Sequence, residues 1–577
     1  MRYPTIPVRA ASRDMIDAFR GYNHNLRIAD GEFYDMKNMT SDFYPVLSPR
    51  ERRGLLAQIP GITGIISKEK LCYTDGADFV IGEDRYEMDL NSEEKMLISM
   101  GAHVIIMPDK KYINTAKPEE RGSIEAEFTT SGEVSFQLCN LSGELYEGAT
   151  VADKAPENPE NGALWIDTSS KPHALKKYTT ATSQWISIAS TYVRIGATGI
   201  GKNFEKNDGV TIEGIQDEAL EDLNGTMIIW EKGDDYIVVI GLLDEASTQK
   251  EAVTVSRKMP DMDFMLESEN RLWGCRYGLN REGEFVNELY ACKLGDFKNW
   301  NCFMQVSTDS YAATVGTDGP FTGAIAHMGY PLFFKENCFH KVFGNYPANY
   351  QIQTTACRGV QKGSHRSMAI VNEVLYYKAD TAVCSYDGSL PSEISYCLGN
   401  EHYSSAVGGG HGNKYYVSMM DMDEKWHLFV WDTAKKLWHR EDDLIVGSFC
   451  SHGGQLYALC QDKRVITMLR GDGSGETDYS WYAETGEIGF NTPDQKYISQ
   501  IVMRLSLETG TELRVFARYD FSEQWEPLFA LRSTKLSSYE IPIRPKRCDY
   551  MKLRLEGDGP GKIYSITKKM MKGSAKV

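Results

Sequence analysis

At 577 residues, with 42% hydrophobic and 11% aromatic side chains, the chain is too long for one ordinary core and apolar enough to bury several. Its formal charge of -17 excludes a broad cationic grip on nucleic acid. The same charge fits a wall past which DNA moves without sticking, and it also serves plain solubility.

Twelve cysteines are scattered with no C-x-x-C spacing, and the start Met1-Arg-Tyr-Pro-Thr-Ile6 lacks the apolar core of an export signal. They read as free thiols, mostly buried, in a protein made in a reducing cytoplasm. No apolar run reaches membrane-spanning length, so no stable membrane insertion is expected.

Residues 1–55 form a polar lead-in without a sustained period, punctuated by Gly21, Gly31 and Gly54 and held extended by Pro45 and Pro49. It is expected to lie across other structure, fixed by its aromatics. Arg50, Arg52 and Arg53 could contact a phosphate or a partner; such clusters more commonly line a solvated edge or pair with carboxylates. Residues 56–117 hold two meanders, with Asp75-Gly76 as a hairpin turn.

From 118 to 260 that rhythm breaks into a β-rich insertion. Inside it, 155–190 is a small module behind a stiff proline linker. Its Trp165, Tyr178 and Trp185 could stack on a sugar ring, but a module this small first needs them as core.

The rhythm resumes over 261–475, where one phrase repeats: Asn372-Glu-Val-Leu-Tyr-Tyr377, Gly412-Asn-Lys-Tyr-Tyr-Val417 and Gly454-Gln-Leu-Tyr-Ala458. The spacing from Leu375 to Tyr415 to Leu456 is about 40 residues, the length of a four-stranded propeller blade. Counting central strands near Leu71, Val104, Leu272, Phe333, Leu375, Tyr415 and Leu456 gives about seven blades, with six or eight left open. Residues 476–577 alternate with period two and read as a C-terminal β-sandwich, with Arg544, Lys546 and Arg547 on a connection that could hold an anion or a partner. The expectation is an all-β chain: a β-propeller carrying a β-rich insertion and a final sandwich.

No chemistry emerges from the motifs. There is no G-x-S-x-G elbow, P-loop, H-E-x-x-H or EF-hand loop. Gly408-Gly-Gly-His-Gly412 opens a strand and cannot cradle a phosphate at a helix N-terminus. No catalytic, cofactor-binding or metal-binding residue is nominated, and the chain is read as non-enzymatic and free of cofactors.

Several segments together resemble a known family. Arg20-Gly-Tyr-Asn23, Asp30-Gly-Glu-Phe-Tyr-Asp-Met-Lys-Asn38 and Pro45-Val-Leu-Ser-Pro-Arg50 are similar to the lead-in of β-propeller structural proteins of tailed bacteriophages and prophages. Gly162-Ala-Leu-Trp-Ile-Asp-Thr168 through Trp185 looks like a small module of phage tail proteins, and Trp481-Tyr-Ala-Glu-Thr-Gly486 with Pro545-Lys-Arg-Cys-Asp549 resembles their C-terminal sandwich. The nearest functional analogues are short-tail nozzle or hub proteins and packaged-DNA stabilisation proteins.

The resemblance implies a virion protein of the tail or head-tail region, made in the bacterial host cytoplasm. It implies a homo-oligomeric, sixfold ring with adaptor, tail or fibre proteins as neighbours and DNA as passing cargo. The alternative is a glycan-binding or glycan-cleaving propeller acting at a host surface.

Overall fold

The computed structural model describes residues 11–476, 479–489, 495–520 and 522–572. Met1–Ile6, considered above for export, lies outside them. The protein is all-β, built of many antiparallel sheets in a propeller-like arrangement with four 3-10 turns among the described residues.

Seven sheets share one plan. The first runs Ile62–Ser67, Leu71–Asp75, Asp78–Ile81, Asp84–Glu87, and the second Met96–Met100, His103–Met107, Lys111–Asn114, Arg121–Ser123. After the insertion come a third sheet starting at Phe264–Ser268, a fourth at Gly323–His327, a fifth at Ala369–Val371 and a sixth at Ser404–His411. The seventh comprises Val446–His452, Gln455–Cys460 and Arg464–Thr467, and its outer strand is Gly54–Gln58 from the other end of the chain. The residues near Leu71, Val104, Leu272, Phe333, Leu375, Tyr415 and Leu456 all lie in second strands. In the second to sixth sheets those strands are buried on both faces, which is why they read as unbroken aromatic and aliphatic phrases; Leu71–Asp75 alternates buried and half-buried residues.

Apolar clusters join each sheet to the next. Cys72, Phe79 and Val104 link the first two; Ile105 and Leu272 the second and third; Leu289 and Phe333 the third and fourth; Phe334 and Leu375 the fourth and fifth. Tyr376 and Tyr415 link the fifth and sixth, Val430 and Leu456 the sixth and seventh, and Leu459 with Ile62 returns the series to the first.

A second, polar series runs along the turns that follow the first strands. Lys68 Nζ donates to Ser99 Oγ at 2.6 Å, Ser268 Oγ to the Gly329 carbonyl at 3.2 Å, and His327 Nε2 to the Glu373 carbonyl at 2.7 Å. Asn372 Nδ2 donates to Asn413 Oδ1 at 2.9 Å, His411 Nδ1 meets Ser451 Oγ at 3.1 Å, and Ser67 Oγ meets His452 Nδ1 at 2.9 Å.

Gly408-Gly-Gly-His411 closes the first strand of the sixth sheet before turning into the second, so the run ends a strand as well as opening one. A Cβ on Gly409 would stand 2.4 Å from the Phe449 side chain, and one on Gly410 2.6 Å from Val371. The bare backbone lets the neighbouring sheets approach from both sides.

The insertion forms a four-stranded sheet and a five-stranded sheet around Phe136, Val193, Ile212, Ile237 and Val255. The small module adds its own sheet, Thr150–Ala152, Leu164–Asp167, Ala174–Thr179 and Gln184–Ser187.

The N-terminal expectation requires correction. Residues 11–40 are not an extended segment laid over other elements. Ala11–Ile16 pairs with Gly561–Lys572, and Glu32–Lys37 pairs with Trp481–Thr485. The sandwich is therefore composite: one sheet of four strands and one of six, each holding N-terminal strands. The boundary placed at residue 55 also falls inside the strand Gly54–Gln58. The lead-in shows no clear period because a bulge between Phe33 and Asp35 shifts the register of its main strand.

Where these parts meet, the backbone of Gly471 lies so close to Gly54 that a Cβ would stand 1.9 Å from its nitrogen. Gly471→Ala is expected to cost about 1–3 kcal/mol through overpacking, read as a lowered thermal midpoint. Gly132→Ala, where a Cβ meets open space, should leave the midpoint within error of wild type.

Candidate functional site

The entry ends of the first strands, opposite the polar turns, surround a cavity of about 510 Å³. Every one of the seven sheets contributes, through Ile65, Leu97, Phe264, Ile325, Gly408 and Phe449 and through the turn leading to the fifth sheet. That turn, His365–Ser367, is a wedge held by buried serines. Ser364 Oγ accepts from the Ala406 amide at 3.1 Å, Ser367 Oγ accepts from the Lys378 amide at 2.9 Å, and Tyr415 Oη donates to the Ser367 carbonyl at 2.8 Å.

The cavity wall is mostly apolar, and its charges are paired. Glu94 bonds Arg366, which also donates to the Gly447 carbonyl at 2.9 Å. Lys95 Nζ stands 2.6 Å from Asp109, and Asp263 takes Arg276 at 2.7 Å and the Tyr277 amide at 2.9 Å. A glycosidase mechanism requires one carboxyl kept protonated opposite another left free. Here both lining carboxylates, Glu94 and Asp263, are held by guanidinium groups. His365 packs its ring 5.2 Å from Phe264, and burial, aided by Arg366, pushes its imidazole down to about 4. It is therefore neutral at ordinary pH and makes no hydrogen bond to the described residues through its ring.

The structure separates the sequence-nominated residues from this cavity. Arg50 and Arg53 are buried, with side chains 5% and 1% exposed. Arg53 reaches Glu441 at 2.5 Å and Asp442 at 2.6 Å; Arg50 pairs with Glu476 and with Asp442 at 3.3 Å, and its Nε donates to Asn38 at 3.0 Å. Neither guanidinium is offered to a phosphate. Arg52 is exposed and lies 4.9 Å from the centre of the Tyr479 ring.

Burial alone would raise Asp442; Arg53 and Arg50 outweigh it and hold the carboxyl below its usual range. Burial likewise opposes the charge on Arg53, and Asp442 with Glu441 reverses that. These groups tie the lead-in, the sixth and seventh sheets and the linker to the sandwich into one ionic cluster.

Trp165 is buried and donates to the Ala152 carbonyl at 2.9 Å, while Trp185 stands 5.4 Å from Trp165 and 5.3 Å from Tyr178. The three rings are the module's own packing. On the sandwich, Lys546 pairs with Glu526 at 2.5 Å, and Arg544 and Arg547 are exposed on the same connection. Among the described residues, no group of three His, Cys, Asp or Glu side chains is placed to hold a metal ion. The twelve cysteines are unpaired and ten are buried.

No family model matches the chain, and no curated protein matches it. Among solved structures it is similar to the exo-beta-1,3-galactanase of Phanerochaete chrysosporium, at 7% identity and a TM-score of 0.23, over 53% of this chain and 94% of that one. It is similar to U3-55K at 9% identity and a TM-score of 0.23, over 51% and 90%, and to the Trypanosoma rangeli sialidase at 10% and 0.17, over 90% and 96%. Likeness at this level carries no argument about activity.

Two predictions follow from the charges. Arg53→Met leaves Glu441 and Asp442 under-compensated in a buried place and is expected to cost about 3–5 kcal/mol, measured by urea unfolding. His340 and His365 are each pushed down to about 4 by burial, with Lys335 and Arg366 adding to it, and burial with Lys414 lowers His439 further. The unfolded chain binds protons at these histidines near the ordinary value of about 6.5, while the folded chain does not until about pH 4 at His340 and His365. Stability is therefore present above pH 6.5 and lost as pH falls through that window. Urea titrations from pH 7.5 to 4.5 should show a falling unfolding free energy, with a shallower slope for His340→Asn.

Proposed function

We propose that this protein is a non-enzymatic structural component of a tailed-phage particle, in the tail or at the head-tail junction. In this reading the seven sheets are the blades of a closed propeller, with Gly54–Gln58 as the clasp of the last blade. Copies form a sixfold ring around the DNA channel, with adaptor, tail or fibre proteins as neighbours and DNA as passing cargo.

The observation that carries the reading is where the family-like segments meet. Arg20–Asn23, Asp30–Asn38 and Pro45–Arg50 come together with Trp481–Gly486 in and around one composite sandwich, fastened to the propeller-like body by the Arg50–Arg53 cluster. A particle component must transmit load between its parts, and buried ion pairs with bidentate guanidinium contacts resist sliding between modules. The paired state of Glu94 and Asp263 and the net charge of -17 are in keeping with a wall that neither cuts nor grips.

A second reading, glycan binding at a host surface, rests on a different place. Between the lead-in and the turns of the sixth and seventh sheets is a cavity of about 370 Å³, lined in part by Asp42, Asn413, Lys414, Lys435 and Arg470. Its carboxylate, amide, ammonium and guanidinium groups are donors and acceptors of the kind that sugar hydroxyls bond.

Negative-stain micrographs of concentrated protein should show sixfold rings, and peptides of the chain should be found in purified particles. Monomers alone at high concentration, together with absence from particles, would overturn the structural reading. Binding on a glycan array, reduced by Lys414→Ala, would instead establish the second; a blank array removes it.

A further inference from the structure

The central cavity is partly open to solvent and measures about 510 Å³, within the size range of small-molecule sites. Its chemistry is selective. Met96, Met262, Met265 and Met368 face it together with Phe264 and Phe449. Methionine thioethers are polarizable and favour contact with aromatic rings. The lining charges are already paired, Glu94 with Arg366, Lys95 with Asp109 and Asp263 with Arg276, so neither a strong anion nor a strong cation finds an open counter-charge. Among the described residues two polar groups of the wall are left without a protein partner: the buried hydroxyl of Ser448 and the ring of His365, which in its neutral form offers one donor and one acceptor nitrogen.

We propose that this cavity binds an uncharged, flat aromatic small molecule of about two fused rings, held among the methionines and phenylalanines and hydrogen-bonded to His365. A saccharide is disfavoured, because its hydroxyls would face thioethers and lose hydrogen bonds to water without replacement. A duplex or a charged nucleotide is disfavoured because the cavity has no unpaired cation.

The test uses N-phenyl-1-naphthylamine, a neutral fluorescent probe with one N–H donor, titrated against the full-length chain, with indole as an unlabelled competitor. The expected result is a saturable rise in fluorescence at one site per chain, reversed by indole. Ala324→Trp and Ile325→Phe, which fill the cavity from the fourth sheet, should each weaken binding at least tenfold. His365→Phe, which keeps the ring and removes its nitrogens, should weaken it by about three- to tenfold. Far-UV circular dichroism and the thermal midpoint identify any variant that fails to fold, and the conclusion is drawn from those that do. Non-saturable fluorescence, or wild-type affinity in a folded cavity-filling variant, overturns the proposal. Neither outcome bears on whether the protein forms rings, which micrographs decide separately.

Discussion

Arg50 and Arg53 are the constraint on which the arrangement of the modules depends. Two guanidinium groups from the lead-in are taken out of water and answered by Glu441 and Asp442, which follow the sixth sheet, and by Glu476 on the way to the sandwich. Taking such charges out of water is unfavourable unless geometry and partners are nearly complete. The position of the lead-in is therefore fixed to within hydrogen-bond distances. Immediately beyond Arg53 the chain enters Gly54–Gln58, the outer strand of the seventh sheet, and the Gly471 and Gly475 amides bond back to the carbonyls of Arg52 and Arg53. One short stretch thus both completes the sheet series and anchors the sandwich.

The two ends of the first strands are built differently. At their exit turns, side-chain hydrogen bonds step from sheet to sheet, and the glycine run in the sixth sheet lets its neighbours close in. At the entry ends the sheets line a mostly apolar cavity, and the turn His365–Ser367 is bonded there to both the fifth and sixth sheets. Polar tie points at one end and a mostly apolar cavity at the other are built on the same strands.

The second strands were legible in the sequence because their signal is local: a Gly or Asn turn followed by residues buried on both faces. A break in that rhythm suggested the insertion, but its start, placed at 118, precedes Arg121–Ser123, the fourth strand of the second sheet. The aromatic module was legible too, since Trp165, Tyr178 and Trp185 had to be core before they could be anything else. Pairing between the two ends of the chain was not. Nothing near Glu32–Lys37 indicates that its partner is Trp481–Thr485, and the bulge after Phe33 hides the alternation that would have marked a strand. The central cavity was equally hidden. His365 and Arg366 sit in a short polar turn with no motif, and they become neighbours of Glu94 and Phe264 only when distant sheets meet.

By itself the sequence determined the class of the protein and the rhythm of its repeats, because backbone alternation and turn chemistry act over a few residues. Only the tertiary structure decided which charges are answered, where the first strand of the sandwich comes from and what surrounds the central cavity. Those depend on contacts between residues hundreds of positions apart, and hydrophobic burial is indifferent to distance along the chain. Arg50, Arg52 and Arg53 illustrate the division. Their composition suggested a cationic patch, but the fold turned two of them inward onto carboxylates and left the third at the surface against Tyr479.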